Sequence, residues 1–226
     1  SSYSLKAGDL FGFLLSLFER YVISGRLLDI GCGKGDFLSF AREKGWEVYG
    51  MEPSVNLAKF ASSRHNVEVK TSSLEDAGYS ESFFDVVTLS MVLEHIENPR
   101  GLIAGINKVL KSNGMLLIEV PNMNSLMLKI AALYFRLKGK RWSPLLSPLH
   151  YPFHCYGYDR SSLAYLLNSL GFCVKRTAVT SGSLRGFRAD SGGTPLEKFG
   201  RDILAWAAGA IGQGDVLIAI AKKRTE

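Results

Sequence analysis

The sequence predicts an α/β fold: a doubly wound, mostly parallel sheet of seven strands with helices on both faces. Three observations carry that expectation. Short β-rich runs alternate with helical patterns over the first two-thirds of the chain, the rhythm of parallel strands joined by crossover helices. The run Phe84 to Ser90 is the most apolar of the first four strand candidates, as suits a strand buried on both faces. A glycine-rich turn, Gly31-Cys32-Gly33-Lys34-Gly35, separates the first strand from the helix that follows it.

The elements follow in order. From Asp9 to Val22 the apolar positions Leu10, Phe13, Leu14, Leu17, Phe18 and Tyr21 share one helical face. Arg26 to Ile30 is the first strand, and Asp36 to about Lys44 the helix beyond the glycine turn. Trp46 to Met51 is a strand, and Ser54 caps a helix running to Ser62. A short third strand covers Val67 to Lys70, and Phe84 to Ser90 is the fourth. Pro99, at a position favoured for proline, opens a helix to Lys111. Asn113-Gly114 turns the chain into a fifth strand, Met115 to Val120, which Pro121 stops.

The rhythm then breaks. Residues 122–158 are rich in proline and aromatic residues, with one helical stretch, Ser125 to Lys138, and are expected to form a lid inserted after the fifth strand. A helix from Asp159 to Leu170 and a strand from Phe172 to Thr180 restore regular structure. A glycine- and serine-rich loop, Ser181 to Thr194, leads to a helix ending near Ile211, and Val216 to Ala221 closes the sheet. The division is therefore a single domain: an N-terminal helix in 1–25, a cofactor-binding core in 26–121, the inserted segment 122–158, and 159–226 completing the sheet.

The 226 residues suffice for a core that needs neither disulfide nor metal. Cys32, Cys155 and Cys173 are scattered without a CxxC pair, which reads as reduced thiols in a cytoplasmic protein without structural zinc. The chain starts Ser1-Ser2 with no signal peptide pattern, and its longest apolar stretches are too short to cross a bilayer. A formal charge of +6 permits anionic partners without requiring them. Arg136, Lys138, Lys140 and Arg141 concentrate locally and read as a solvated face. With no RNA-binding appendage and no concentrated basic-aromatic surface, neither DNA nor RNA is an expected partner.

The chemistry begins at the glycine turn. Three glycines allow a ligand close to the backbone, and the helix behind them offers unpaired N–H groups and a positive dipole end. Glu52 lies nineteen residues past Gly33, at the end of the second strand, where a carboxylate can accept hydrogen bonds from two ribose hydroxyls. The pattern is GxGxG, whereas dinucleotide sites prefer GxGxxG.

Leu28-Asp29-Ile30-Gly31-Cys32-Gly33-Lys34-Gly35 resembles motif I of the class I, Rossmann-like S-adenosylmethionine-dependent methyltransferases. Tyr49-Gly50-Met51-Glu52-Pro53-Ser54 resembles their motif at the end of strand two. The stretch from Phe84 to Pro99, with Ser90-Met91-Val92-Leu93-Glu94-His95 at its centre, is similar to the subgroup that includes the ubiquinone-pathway methyltransferases. Val109 to Gly114 and Ile118 to Asn122 extend the match, and Trp142, His154 to Leu163, Leu170-Gly171-Phe172 and Gly212 to Asp215 continue it more loosely.

The resemblance implies S-adenosyl-L-methionine as cofactor and S-adenosyl-L-homocysteine as product. It implies that Asp29, Gly31, Cys32 and Gly33 lie along the methionine part, Glu52 holds the ribose, and Met51 or Pro53 packs beside the adenine. Ser73, Leu74 and Glu75 would border the adenine amino group, and Ser90 and Met91 the sulfonium. The family often has an aspartate where Ser73 stands, with Glu75 and Asp76 as nearby substitutes.

Methyl transfer from a sulfonium is an in-line displacement in which alignment is the larger catalytic term, roughly 7–11 kcal/mol. A general base adds about 10²–10⁴-fold and is needed mainly for a hydroxyl acceptor. His95, after the fourth strand, and His154, in the inserted segment, are the catalytic candidates, with His150 and the tyrosines 151, 156 and 158 lining the pocket. No histidine has a second ligand at metal spacing, so no metal is expected. The expected function is methylation of a small molecule, at oxygen by family analogy. The alternatives are a non-catalytic cofactor-binding or scaffold protein, and an NAD-dependent oxidoreductase. For Ser125 to Trp142 three readings stay open: a lid, a peripheral contact with a membrane or lipid-like substrate, and a homodimer contact.

Overall fold

The computed structural model describes residues 7–140, 153–180, 208 and 211–225. The strands are β1 (Arg26–Ile30), β2 (Glu47–Met51), β3 (Glu68–Lys70), β4 (Phe84–Ser90), β5 (Leu110–Pro121), β6 (Phe172–Thr180) and β7 (Val216–Lys223). Among the described residues the named helices are α1 (Ala7–Glu19), α2 (Asp36–Glu43), α3 (Val55–His65), α4 (Pro99–Val109), α5 (Leu126–Leu137) and α6 (Arg160–Ser169), with a 3-10 turn at Leu93–His95. Among the described residues these strands form one seven-stranded sheet in the order β3-β2-β1-β4-β5-β7-β6. Strands β1 to β5 run parallel, and β7 runs antiparallel to both β5 and β6.

Alternation along the central strands builds both layers of the core. Leu27, Val86, Met115 and Leu117 face the side covered by α1 and α2, where Phe18 stacks edge-on against Trp46 at 5.4 Å. Leu28, Val87, Leu116 and Ile118 face the other side, covered by α4 and α6 through Ile103, Ile106, Leu163 and Leu167. Strands buried on both faces must be apolar at nearly every position, which is why these segments carry no polar alternation.

Side-chain caps fix where helices start. Ser54 accepts from Leu57 N, Asn98 from Gly101 N and Ser125 from Leu128 N. Asp159 and Ser162 form a reciprocal capping box at α6. Helix ends set the differences from expectation. Helix α4 stops at Val109, and β5 begins at Leu110 rather than Met115. Asn113-Gly114 is thus an irregularity inside a long strand: Phe84 pairs with Leu110, Val86 with Met115, and Asn113 adopts φ 66°. The Lys111 ammonium holds this bulge to Asp85 at 2.8 Å, and Asp85 also accepts from Arg26 N. Strand β7 continues past Ala221, pairing Lys222 with Met115 and Cys173 and Lys223 with Phe172, and Lys223 Nζ also donates to the carbonyls of Asn107 and Leu110 at the end of α4. The predicted loop 181–194, all but Ala208 and Ile211 of the helix after it, and Trp142 lie outside the described residues.

Chain order runs β1, β2, β3 towards one edge and then returns to β4 on the other side of β1. Such a reversal opens a crevice beyond the carboxyl ends of β1 and β4, the standard position for a ligand in a doubly wound sheet.

Candidate cofactor and acceptor site

The loop leaving β1 is left-handed at all three of its glycines, with φ of 73° at Gly31, 56° at Gly33 and 78° at Gly35. The Met51 carbonyl accepts from Gly31 N at 2.7 Å and Cys32 N at 3.0 Å, clamping the loop to the end of β2. The next residue, Glu52, is buried, and its two oxygens are used separately: Gly33 N donates to Oε2 at 2.9 Å and Ser54 N to Oε1 at 3.0 Å. Each oxygen accepts one backbone N–H here, and a carboxylate offers about four lone-pair sites. A Cβ at Gly31 would stand 2.3 Å from Val92, whereas one at Gly33 would meet nothing within 4 Å. The loop therefore presses on the β4 turn at one glycine and faces open space at the other.

Asp29, fully buried in β1, accepts from Thr88 Oγ1 at 2.6 Å. Ser90, at the end of β4, donates its hydroxyl to Glu119 of β5, a buried carboxylate. Met91 follows with φ 54° and donates its N–H to the Glu119 carbonyl at 2.8 Å. Around the predicted adenine end, Pro53 is exposed and Met51 buried. The Ser73 hydroxyl donates to Asp76 at 2.7 Å and accepts from Asp76 N, closing a small turn. The Leu74 side chain is part of the core, and the Cys32 thiol is buried on the opposite face of the sheet. Both can therefore offer a cofactor little but their backbone.

The second group of side chains gathers just past Val92. Glu94, in the 3-10 turn, is 2 % exposed; its Oε1 stands 3.8 Å from His95 Nε2, and its Oε2 has no hydrogen-bond partner. Burial, with Glu119 adding repulsion, pushes the Glu94 carboxyl up to about 7. His95 Nδ1 lies 2.9 Å from the Phe153 carbonyl, and its ring meets that of His154 edge-on at 4.8 Å. Burial, followed by the charge of His95, lowers the His154 pKa. The segment carrying His154 is laced to the turn: Cys155 N and Tyr156 N both donate to the Glu94 carbonyl, and Tyr156 OH donates to the Glu97 carbonyl. Tyr158 is buried and its hydroxyl pushed up to about 12, as desolvation disfavours a phenolate. His150 and Tyr151 lie outside the described residues.

The structure thus brings His95 and His154 together and adds two residues that were not singled out. Glu94 is the more informative: with the two histidines it places three ligand-type atoms within 4.8 Å of one another, which departs from the expectation of no second ligand at metal spacing. The histidines come from segments distant in sequence, so no local motif could announce the pairing. Glu119 had a weak signal, a lone acid inside the apolar run Met115 to Val120.

A doubly wound sheet with a glycine loop and a buried carboxylate at its switch point is an architecture of the Rossmann-like class. A family profile described as a methyltransferase domain matches residues 7–176, and the chain belongs to that family. A ubiquinone biosynthesis O-methyltransferase of Neisseria meningitidis is 33% identical over 138 residues, 54% of this chain and 58% of that protein. An uncharacterized protein of Methanocaldococcus jannaschii is 30% identical over 116 residues, 51% of this chain and 54% of that one. The chain thus spans little more than half the length of these curated relatives. Among solved structures, a SAM-dependent methyltransferase from Archaeoglobus fulgidus superimposes with a TM-score of 0.61 at 23% identity, covering 94% of each chain. The [4+2]-cyclase SpnF gives 0.66 at 22%, covering 100% of this chain and 85% of its own. At these identities the superpositions speak for the shared fold.

Proposed function

We propose that the protein transfers the methyl group of S-adenosyl-L-methionine to an oxygen of a small-molecule acceptor, leaving S-adenosyl-L-homocysteine. The observation that carries this reading is the continuity of the two halves of the site: Val92, packed against Gly31 of the cofactor loop, leads directly into the turn that presents Glu94 and His95. The residues present fit the cofactor. The remaining lone pairs of Glu52 receive the ribose hydroxyls, and the space in front of Gly33 admits the methionine part, with Asp29, Gly31 and Cys32 beside it. Pro53, Ser73 and Leu74 border the adenine, and Ser90 and Met91 the sulfonium. The relatives named as O-methyltransferases support oxygen as the target.

The cofactor supplies a methyl group already activated on a positive sulfur, so the protein's main task is alignment and exclusion of water. A hydroxyl acceptor must also lose its proton, and it does so on the side of His95 and His154. Residues 153–158 cover that side as part of a lid, a role supported by the bonds that tie Cys155 and Tyr156 to the β4 turn.

Calorimetric titration with S-adenosylmethionine, S-adenosylhomocysteine and NAD tests the cofactor. Micromolar binding of the first two with none of NAD is expected, and NAD binding alone would overturn the reading. His154→Ala should lower kcat by about 10²-fold or more while leaving cofactor affinity within about twofold. Unchanged turnover would remove His154 from the mechanism.

A further inference from the structure

Towards their carboxyl ends, the three central strands place polar side chains in a layer that is otherwise apolar. By strand alternation Asp29 of β1, Thr88 and Ser90 of β4, and Glu119 of β5 lie on the face that Leu27, Val86 and Leu117 present to α1 and α2. All four are buried, Glu119 completely. They form two bonded pairs: Thr88 donates to Asp29, and Ser90, the register partner of Glu119, donates to its carboxylate.

We propose that Glu119 distinguishes cofactor from product, its buried carboxylate favouring the positive sulfonium of S-adenosylmethionine over the neutral thioether of S-adenosylhomocysteine. This role rests on the methyl-transfer reading, which puts Ser90 and Met91 beside the sulfonium.

Glu119 holds that turn twice. Its side chain accepts from the Ser90 hydroxyl, and its carbonyl accepts from Met91 N at 2.8 Å. Met91 has φ 54°, a conformation uncommon for a residue other than glycine, so the chain leaves β4 sharply where Glu119 grips it.

Positioning alone does not call for a carboxylate. Glutamine has the same length and offers Ser90 an equivalent oxygen acceptor. Burying a charge costs far more than burying an amide, and only hydrogen bonds and an opposite charge offset that cost. The sulfonium supplies such a charge on this side of the sheet. The field of Glu119 also reaches past its own contacts: after burial, it is the cause that raises the Glu94 carboxyl to about 7, and Met91 lies between Ser90 and Glu94 in the chain.

At an effective dielectric constant of about 20, opposite unit charges about 6–12 Å apart change an affinity roughly ten- to a hundredfold. The attraction fades as positive charge leaves the sulfur. It therefore strengthens cofactor binding and loosens the product without lowering the chemical barrier.

The test is calorimetry on the full chain with S-adenosylmethionine, S-adenosylhomocysteine and sinefungin, an analogue whose protonated amine replaces the methylated sulfur. Wild type should bind the two cationic ligands at least about tenfold more tightly than S-adenosylhomocysteine. Glu119→Gln should weaken both cationic ligands by about tenfold or more, and S-adenosylhomocysteine by less than about threefold. Glu119→Asp and Ser90→Ala both keep the charge and should keep the preference. A role confined to holding the turn would make Glu119→Gln weaken all three ligands alike. That result, or a folded wild type that binds S-adenosylhomocysteine as tightly as S-adenosylmethionine, would overturn the proposal and leave the methyl-transfer reading standing. A folded wild type that binds none of the three would sink both.

Discussion

Glu52 concentrates several jobs in one side chain, because it closes the glycine loop through Gly33 N, starts α3 through Ser54 N and carries the lone pairs that suit ribose hydroxyls. Glu52→Gln keeps the size and removes one acceptor, since the amide nitrogen can only donate. Hydrogen bonds to a charged group contribute about 1.5–3 kcal/mol each, so cofactor affinity should fall about tenfold to a hundredfold by calorimetry. Undiminished binding would reassign the ribose. The two glycines of the loop separate stability from binding. Gly31→Ala meets Val92 at 2.3 Å and should unfold at a visibly lower temperature. Gly33→Ala meets nothing within 4 Å, so its cost is the left-handed backbone, about 1–2 kcal/mol. Its methyl nonetheless enters the space assigned to the cofactor, and loss of S-adenosylmethionine binding should far exceed loss of stability. Equal losses would place the cofactor elsewhere.

At the level of elements, α6 offers a clean probe of capping. The Asp159 carboxylate accepts from Ser162 N at 2.8 Å, and those backbone and hydroxyl donors hold its pKa below the ordinary carboxylate range. Asp159→Ala should cost about 1 kcal/mol near neutral pH. The folded pKa is the lower one, so the stabilisation is complete above the unfolded pKa of about 3.9 and fades as pH falls through the folded value. In denaturant melts the gap between wild type and variant should narrow below about pH 4; a gap constant with pH would rule out the charge. Elements of this kind were legible in the sequence. Asp159 and Pro99 announce helix starts by local chemistry, and β1 and β6 are bounded by glycine or serine at both ends. The start of β5 was not legible, because Asn113-Gly114 signals a turn whether the chain reverses there or merely bulges. The proposed cofactor half starts from a local motif, the glycine turn, which sequence alone displays. The proposed acceptor half joins the turn after β4 to a segment beyond α5, a contact made only by the folded sheet.

Across the whole molecule the distribution of burial is uneven, and that unevenness bears on the lid. Helix α4 sends Ile103, Ile106 and Val109 into the core, whereas α5 buries no side chain and exposes Met127, Ile130, Leu133, Tyr134 and Leu137. An isolated helix of twelve residues is marginal in water, and α5 is anchored at its start by the Ser125 cap and by Leu126 N and Lys129 Nζ bonding to Gln213. Ile106→Ala should therefore cost about 2–5 kcal/mol, while Ile130→Ala should stay within about 0.5 kcal/mol. Amide exchange follows the same logic: α5 should open locally and exchange orders of magnitude faster than α4 and the central strands. If its apolar face closes over the acceptor, a bound acceptor with S-adenosylhomocysteine should slow exchange in α5 selectively, and S-adenosylhomocysteine alone should not. Protection that instead rises with protein concentration would assign that face to a second copy of the chain, and protection that rises only with lipid vesicles would assign it to a membrane surface.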